Sequence, residues 1–195
     1  MDETAAWAER RLSRRGMSST FLAFESCKSA DSLLAAGYRP VDTMTVLLSK
    51  GQIGDDGPQK VAASTEARAW TAAYLRSFYG SEELAGVVGP IVSSLHQSRD
   101  VTLLEATVRG DTAGVLALFR TPRIAGAYCV GTVPEHRRRG IATALLARAR
   151  QIADSEGRIL VLQALTSEGG PEFYLGRGFE KMHAKRVLEK SSKAD

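Results

Sequence analysis

Residues 133–143 have the types and spacing that suit the binding of a polyanion. Pro134 removes a backbone donor where the preceding strand should stop, while Gly140 and the small Ala142 allow close backbone approach as a helix begins. Exposed amides at a helix N-terminus carry partial positive charge and bind phosphate groups. Residues 120–150 also hold seven arginines against a single acid, Glu135. The stretch therefore predicts a site for a phosphate-bearing ligand.

Two common phosphate-binding loops do not match this stretch. A Walker loop needs a lysine and a hydroxyl at the start of its helix, and Arg139, Gly140 and Ile141 offer neither. A dinucleotide fingerprint needs three glycines within six residues and an acid after the next strand, whereas this loop has one glycine. The sequence therefore argues against kinase-type, GTPase and NAD sites.

The composition is that of a folded, soluble protein. The 195 residues carry 26 Lys and Arg against 22 Asp and Glu, and 44% of them are hydrophobic. Cys27 and Cys129 lie too far apart in sequence to indicate a zinc site or a disulfide framework. The apolar runs are too short for a membrane span, and the first residues do not resemble a signal or transit peptide. We expect a cytoplasmic protein that contacts neither membrane nor nucleic acid.

The hydrophobic pattern predicts alternating helices and strands around the loop. Helices are expected at residues 4–15, 31–36, 64–79, 82–97, directly after the loop and at 170–176, and strands at 21–24, 44–48, 101–108, 115–120, 125–133, 159–165 and 182–188. The short connections after 108 and 120 predict an antiparallel meander, and the helix between strands 125–133 and 159–165 predicts a right-handed parallel crossover. The near-continuous apolar run at 159–165 predicts a strand buried on both faces. The predicted fold class is α/β, with a mixed sheet and a C-terminal helix and strand.

A glycine-rich segment at residues 50–58 predicts a boundary between residues 1–58 and 59–195. Residues 34–38 resemble residues 175–179 at a constant offset of 141, and Val46 and Leu47 match Val187 and Leu188 at the same offset. Two interpretations stay open. In the first, the match is a coincidence of two helices that both end at a glycine followed by an aromatic residue. In the second, residues 20–50 are the end of a truncated second copy of the C-terminal unit.

Two motifs in the C-terminal half of the sequence resemble those of the GNAT N-acetyltransferase superfamily. The run from Arg137 to Ala142 resembles the family's Arg/Gln-x-x-Gly-x-Gly/Ala pyrophosphate loop, and residues 167–179 resemble its closing motif, an Asn-led helix ending in Tyr-x-x-x-Gly-Phe. The resemblance covers roughly residues 61–190. It implies the GNAT fold and acetyl-CoA as acyl donor. If the internal match reflects a truncated second copy, residues 1–58 are a degenerate partial GNAT unit.

The resemblance also implies roles for individual residues. The backbone of Gly131, Thr132 and Val133 would pair with the pantetheine arm, and Tyr174 would be the general acid that protonates the departing CoA thiolate. Ser167 stands where asparagine is usual and would bond the pantetheine or a water. The amides implied to hold the pyrophosphate are those of Arg138, Arg139, Gly140, Ile141, Ala142 and Thr143.

The chemistry of aminolysis agrees with this assignment. An attacking amine must be neutral although its free pKa is near 10, so a base or a water chain must accept a proton. A phenol stays protonated at neutral pH, which makes Tyr174 a competent donor to a thiolate. A backbone N–H around Val130 to Thr132, where the sheet splays, would stabilise the oxyanion. The reaction requires no metal.

The resemblance does not assign the general base to any residue. Leu162 stands where many relatives have a carboxylate. Glu105 is the first candidate for the general base, because strand alternation places its side chain on the face of the strand opposite to that of Leu104 and Ala106. Tyr128 is the second candidate, and a water molecule is a further alternative. Cys129 is interpreted as an inert buried thiol rather than an acyl carrier.

The sequence therefore predicts an enzyme that moves an acetyl group from acetyl-CoA to a primary amine by direct attack in a ternary complex. The alternative, suggested by Leu162 and Ser167, is a catalytically weak or inactive CoA-binding or regulatory module. The expected acceptor is a small-molecule or peptide amine, and the expected state is a monomer or a homodimer.

Overall fold

The computed structural model describes residues 19–24, 28–51, 53–54 and 60–190. The helix predicted at residues 4–15 lies outside this part, as does most of the glycine-rich segment. The chain divides into two compact units. Of the described residues, those within 48–162 and 176–180 form the larger unit, and those within 19–47, 163–175 and 181–190 form the smaller one. The division into residues 1–58 and 59–195 stays a prediction.

The helices and strands follow the predicted order. The strands are β1 (Ser19–Phe24), β2 (Arg39–Ser49), β3 (Lys60–Ala63), β4 (Val101–Val108), β5 (Asp111–Arg120), β6 (Ile124–Thr132), β7 (Ile159–Leu165) and β8 (Phe179–Lys190). The helices are α1 (Lys28–Ala35), α2 (Ala67–Tyr79), α3 (Ala85–His96), α4 (Ile141–Ser155) and α5 (Gly170–Leu175). Short 3-10 turns cover Pro134–His136 and Thr166–Glu168. None of the helices in the described part is long and apolar enough to cross a membrane.

The larger unit contains the predicted meander and crossover. Strands β3, β4, β5 and β6 pair antiparallel in that order, and β6 pairs parallel with the first residues of β7. Helix α4 supplies the connection from β6 to β7 that a parallel pair requires. The predicted mixed α/β fold is confirmed.

The core of the larger unit fixes helix α2 against one face of the sheet. Trp70 of α2 is 2% exposed, and its indole N–H donates a 3.0 Å hydrogen bond to the carbonyl oxygen of Leu104. The indole therefore combines a large buried area with a satisfied polar group. Around it packs a cluster of buried side chains: Ala73, Val92, Leu103, Val115, Ala117 and Val133.

The smaller unit has its own cluster and strand pairing. Strand β1 pairs antiparallel with β8, with Ser19 opposite Lys190. Leu33 of α1, Tyr38 and Leu188 of β8 are buried together, and the ammonium group of Lys190 lies 5.5 Å from the centre of the Tyr38 ring.

Three details differ from the sequence-based expectations. Strand β7 alternates between buried and exposed positions, with Ile159 48% exposed, so the expectation of burial on both faces is wrong. Its apolar run reflects β propensity as well as burial. The strand predicted at 44–48 extends over Arg39–Ser49. The four-residue β3 was missed, because its pairing with the distant β4 defines it more than its own pattern does.

Candidate active site

A β-bulge interrupts strand β6 beside the predicted loop. Gly131 is opposite Val115 of β5, whereas Tyr128 is opposite Ala117, so β6 has one residue more than β5 across this interval. Cys129 takes the left-handed backbone conformation, with φ of 54°. A bulge bends its strand and redirects the adjacent main-chain groups. The sequence predicted splaying at this place, and the bulge is the local irregularity that accompanies it.

The bulge coincides with the end of the pairing between β6 and β7. The described parallel pairing runs from Ile124 opposite Ile159 to Ala127 opposite Leu162. Farther along, β6 keeps its partner β5, where Gly114 is opposite Thr132 and the Val133 amide donates to Ala113 at 3.0 Å. Past Ala127, therefore, the β7 side of β6 is a strand edge to which an extended, amide-bearing ligand can pair.

The loop that follows β6 forms a turn rich in backbone amides. Arg138 and Gly140 both take left-handed conformations, with φ of 59° and 78°. Gly140 is the N-cap of α4, and the first amide that bonds within the helix is that of Ala144, to the Gly140 carbonyl at 3.0 Å. The N–H groups of the first helical turn are therefore available for a ligand, and alternating backbone conformations before them form an anion-binding nest.

Two contacts tie this loop to the C-terminal end of α2. Arg137 donates hydrogen bonds from Nη2 to the Ser77 carbonyl at 3.0 Å and from Nε to the Thr132 carbonyl at 3.3 Å. Arg76 of α2 pairs with Glu135 in the 3-10 turn. The pKa of Glu135 lies below its ordinary value, chiefly because its own backbone amide donates to the carboxylate, with Arg76 adding to the effect. Helix, strand and loop therefore share one polar network.

Two glycines allow helices to approach the sheet here. A Cβ on Gly114 would lie 2.5 Å from Cγ2 of Ile141 at the start of α4, and one on Gly131 would lie 2.7 Å from Cε2 of Phe78 on α2. Real Cβ atoms do not make contacts that short. Both positions need glycine, so that α4 and α2 can reach β5 and β6.

The first general-base candidate lies in the same unit, but not beside the bulge. Glu105, Val115 and Gly131 are in register across β4, β5 and β6, so Glu105 is two strand spacings from Gly131, about 10 Å. Its Oε2 accepts a 2.7 Å hydrogen bond from the Ser64 hydroxyl. Direct contact with an amine at the bulge would need a longer reach than this side chain has, so a water must carry the proton.

The second candidate, Tyr128, lies on β6 directly before the bulge. Its ring lies over Gly126, meets Phe119 edge to face at 5.4 Å between centroids, and is 42% exposed. It is therefore a partly exposed side chain rather than a core aromatic.

The Tyr74 phenol and the Cys129 thiol interact at the bulge, and both are held in their neutral forms. Burial, together with a hydrogen bond to Tyr79, raises the pKa of Tyr74 to about 12. Burial raises the pKa of the Cys129 thiol above its ordinary value. A protonated thiol is a poor nucleophile, which agrees with the interpretation of Cys129 as inert.

Ser167 and Tyr174 belong to the smaller unit. The Ser167 hydroxyl donates to Oδ2 of Asp42 and its amide donates to Oδ1 at 3.4 Å, so this serine holds the 3-10 turn against β2. The hydrogen bond from Ser167 is the largest cause of the lowered pKa of Asp42. Tyr174 lies on α5, half-buried and edge to face with Phe173 at 5.1 Å.

The amide-rich turn and the bulged strand lie within a region that matches a known family. Residues 99–181 match the model of the acetyltransferase (GNAT) domain. This region is similar to the GNAT acetyltransferase domain. The match includes the loop, the bulge and the closing motif, and it confirms the family resemblance read from residues 137–142 and 167–179. The search of curated proteins found no match for the chain.

Solved structures share the fold of this chain at low sequence identity. A GCN5-related N-acetyltransferase from Sphaerobacter thermophilus is 21% identical, with a TM-score of 0.68 over 96% of this chain and 66% of that one. A GCN5-related N-acetyltransferase from Kribbella flavida is 16% identical, with a TM-score of 0.67 over 95% and 73% of the two chains. A tandem GNAT protein from the clavulanic acid biosynthesis pathway is 14% identical, with a TM-score of 0.69 over 98% and 70%. The chain spans just under two thirds of the Sphaerobacter chain.

The matched region contains one candidate ligand-binding residue that sequence reasoning missed. Arg177 donates a 2.9 Å hydrogen bond from Nε to the hydroxyl of Thr143, in the first turn of α4. It therefore adds a cation beside the predicted phosphate site. Its position between Tyr174 and Phe179 in the closing motif was the available signal, but the motif leaves that position unspecified. Within the described part of the chain, the structure has no group of three metal-ligating side chains.

Proposed function

We propose that this protein transfers an acetyl group from acetyl-CoA to a primary amine, by direct attack within a ternary complex. The observation that carries the proposal is one continuous surface: a strand edge that opens at a bulge leads directly into a turn of backbone amides. The edge at Gly131, Thr132 and Val133 suits the amide-bearing pantetheine arm. The amides of residues 138–143 suit a diphosphate, and Arg177 adds positive charge to the same turn.

The proposed reaction assigns a role to each group. The amine nitrogen attacks the thioester carbon, the C–N bond forms, the C–S bond breaks, and sulfur leaves as thiolate. A backbone N–H at the bulge stabilises the negative charge on the carbonyl oxygen. Tyr174 supplies the proton that the sulfur accepts, and the proton lost by the attacking nitrogen passes through water to Glu105. Ser167 acts by positioning the turn before Tyr174, since Asp42 accepts its hydrogen bonds.

We also propose that residues 1–58 are a partial second GNAT unit. The matching segments have matching backbone conformations: Gly37 and Gly178 both follow a helix with φ of 89° and 79°. Tyr38 and Phe179 are then both 2% exposed, and Leu47 and Leu188 are both fully buried. The equivalent of Tyr174 in that segment is Leu33, which has no proton to donate. The segment would therefore have a structural role.

The proposed acceptor is a small-molecule or peptide amine, and the proposed location is the cytoplasm. The two distant cysteines suit a reducing compartment.

Binding and turnover test the proposal separately. Titration calorimetry should show micromolar binding of acetyl-CoA, and thiol release should depend on an added amine. Tyr174→Phe should lower kcat at least tenfold with an unchanged Kd for CoA. Binding without any amine-dependent thiol release would favour the inactive binding module, and absence of binding would reject both functions.

A matched pair of variants isolates the turn. Gly140 and Gly157 flank α4 with φ of 78° and 65°, so alanine at either position costs about 1 kcal/mol of backbone strain. Gly140→Ala should weaken CoA binding at least tenfold, whereas Gly157→Ala should leave it unchanged. Equal effects of the two variants would contradict the proposed diphosphate site.

A further inference from the structure

Helix α2 places a row of aromatic rings beside the bulge. Tyr74 stacks on the buried Trp70 with 5.6 Å between ring centroids and 9° between planes. Phe78 and Tyr79 meet Tyr74 at 5.1 Å and 6.1 Å in tilted and edge-on arrangements. The row continues the core outward, because Trp70 is 2% exposed, Phe78 is 47% exposed and Tyr79 is 55% exposed.

The exposed end of the row lies at the place where chemistry is proposed. Cε2 of Phe78 would lie 2.7 Å from a Cβ on Gly131, so the Phe78 ring covers this glycine closely. Tyr74 interacts with Cys129 inside the bulge, and both pack on the buried cluster around Trp70. The rings therefore line the face of β6 on which an acceptor would approach.

Tyr128 adds a ring on the sheet side of the same face. It is opposite Ala117, a member of the buried cluster below α2, and it immediately precedes Cys129. Its ring leans over Gly126, away from Gly131, so Phe78 and Tyr79, at 47% and 55% exposed, are the rings that lie beside the bulge. Exposed aromatic side chains grouped in this way are characteristic of binding surfaces.

The charges around the rings disfavour a polycationic acceptor. Arg76 precedes Phe78 on α2, and Arg137 bonds the Ser77 carbonyl beside it. The Glu135 carboxylate is paired with Arg76, and the Glu105 carboxylate accepts a hydrogen bond from Ser64. Two guanidinium groups face two carboxylates, so the surface has no excess negative charge that would attract a ligand with several positive charges. A single ammonium group is tolerated, because aromatic faces attract a cation.

We propose that the acceptor is an arylalkylamine, whose aromatic ring packs against Phe78 and Tyr79 while its primary amine reaches the bulge. This inference rests on the proposed acetyl transfer and specifies the substrate class of the same site. Phe78 is then a specificity-determining residue, because its ring contacts both Gly131 and the acceptor.

Paired amines of similar length test the inference. Steady-state kinetics with saturating acetyl-CoA would compare 2-phenylethylamine, n-butylamine and spermidine as acceptors. We expect kcat/KM for 2-phenylethylamine to exceed that for n-butylamine and that for spermidine at least tenfold. Phe78→Ala should raise the KM for 2-phenylethylamine about tenfold, and it should lower kcat/KM for 2-phenylethylamine by a clearly larger factor than kcat/KM for n-butylamine. Phe78→Leu, which keeps an apolar side chain, should lie between the two.

The control variant is Ile124→Ala, at the opposite end of β6, where the side chain is 41% exposed. It should alter neither amine's kinetics. Equal kcat/KM for aryl and alkyl amines, or a preference for spermidine, would overturn the inference while leaving acetyl transfer intact. Binding of 2-phenylethylamine to the CoA complex, measured by calorimetry, gives a readout that does not need turnover. Absence of saturable binding would overturn the inference, whereas binding weakened tenfold by Phe78→Ala would support it.

Discussion

The guanidinium group of Arg137 donates a 3.0 Å hydrogen bond to the carbonyl oxygen of Ser77, joining the proposed diphosphate loop to the end of helix α2. The same guanidinium bonds the Thr132 carbonyl, so one side chain holds helix and strand together. Because a planar fork can bond two carbonyls at fixed directions and an ammonium group cannot, Arg137→Lys should loosen the loop. Hydrogen exchange of amides 133–139 should accelerate about tenfold. Arg123→Lys, in the exposed turn before β6, should not change it. Equal exchange in both variants would show that Arg137 does not fix the loop.

A methyl group at Gly114 should separate α4 from the sheet. The added Cβ would lie 2.5 Å from Ile141 and 2.8 Å from the Gly131 carbonyl oxygen. Overpacking of this kind costs about 1–3 kcal/mol of unfolding free energy, and the displaced helix should also weaken CoA binding. Gly86→Ala on α3 is the control, because a Cβ at that position meets nothing within 4 Å. This substitution should stabilise the helix by about 1 kcal/mol, since alanine has a higher helix propensity than glycine. Urea denaturation of both variants measures the difference, and a Gly114→Ala protein as stable as wild type would refute the close approach.

The raised pKa of Tyr74 predicts a loss of stability at alkaline pH. Folding favours the neutral phenol, because the pKa of Tyr74 is about 12 in the folded protein, whereas the ordinary value for tyrosine is 10.0. The stabilisation is fully present below pH 10 and is lost as pH rises toward 12. Tyr74→Phe removes this titration, so its unfolding free energy should fall less than that of wild type over the same range. Parallel pH profiles of the two proteins would contradict the prediction.

The raised pKa of Cys129 predicts slow alkylation in the folded protein. Iodoacetamide reacts with thiolate, and burial keeps this thiol protonated at neutral pH. In a Cys27→Ser background, the rate of Cys129 alkylation should keep increasing with pH in the alkaline range in which the alkylation rate of glutathione has already reached its plateau. The same protein in urea is the control and should react as glutathione does. Rapid alkylation of the folded protein at pH 7 would reopen a covalent role.

The sequence predicted the loop and its helix well, because their signals are local. Gly140 marks a left-handed turn and Pro134 marks the strand end, and both fall where expected. The helix predicted directly after the loop is α4, and its Ile141, Leu145 and Ala149 are buried. Local backbone requirements of this kind do not depend on the rest of the chain.

The missed features depend on partners that are distant in sequence. The position of Phe78 depends on its contact with Gly131 of β6. The role of Arg177 depends on its hydrogen bond to the hydroxyl of Thr143. The hydroxyl of Ser167 is bonded by Asp42, 125 residues earlier in the chain. No periodicity encodes such pairs, so the acceptor surface and the positioning contacts became visible only in three dimensions.

A crystal structure of the acetyl-CoA complex tests the central claim most directly. The account predicts diphosphate oxygens within hydrogen-bond distance, about 3 Å, of the backbone nitrogens of residues 138–143. It also predicts the pantetheine amides against the main chain of residues 131–133 and the Tyr174 hydroxyl beside the sulfur. Diphosphate density away from this turn, or a Tyr174 hydroxyl far from the sulfur, would contradict the proposed acetyl transfer.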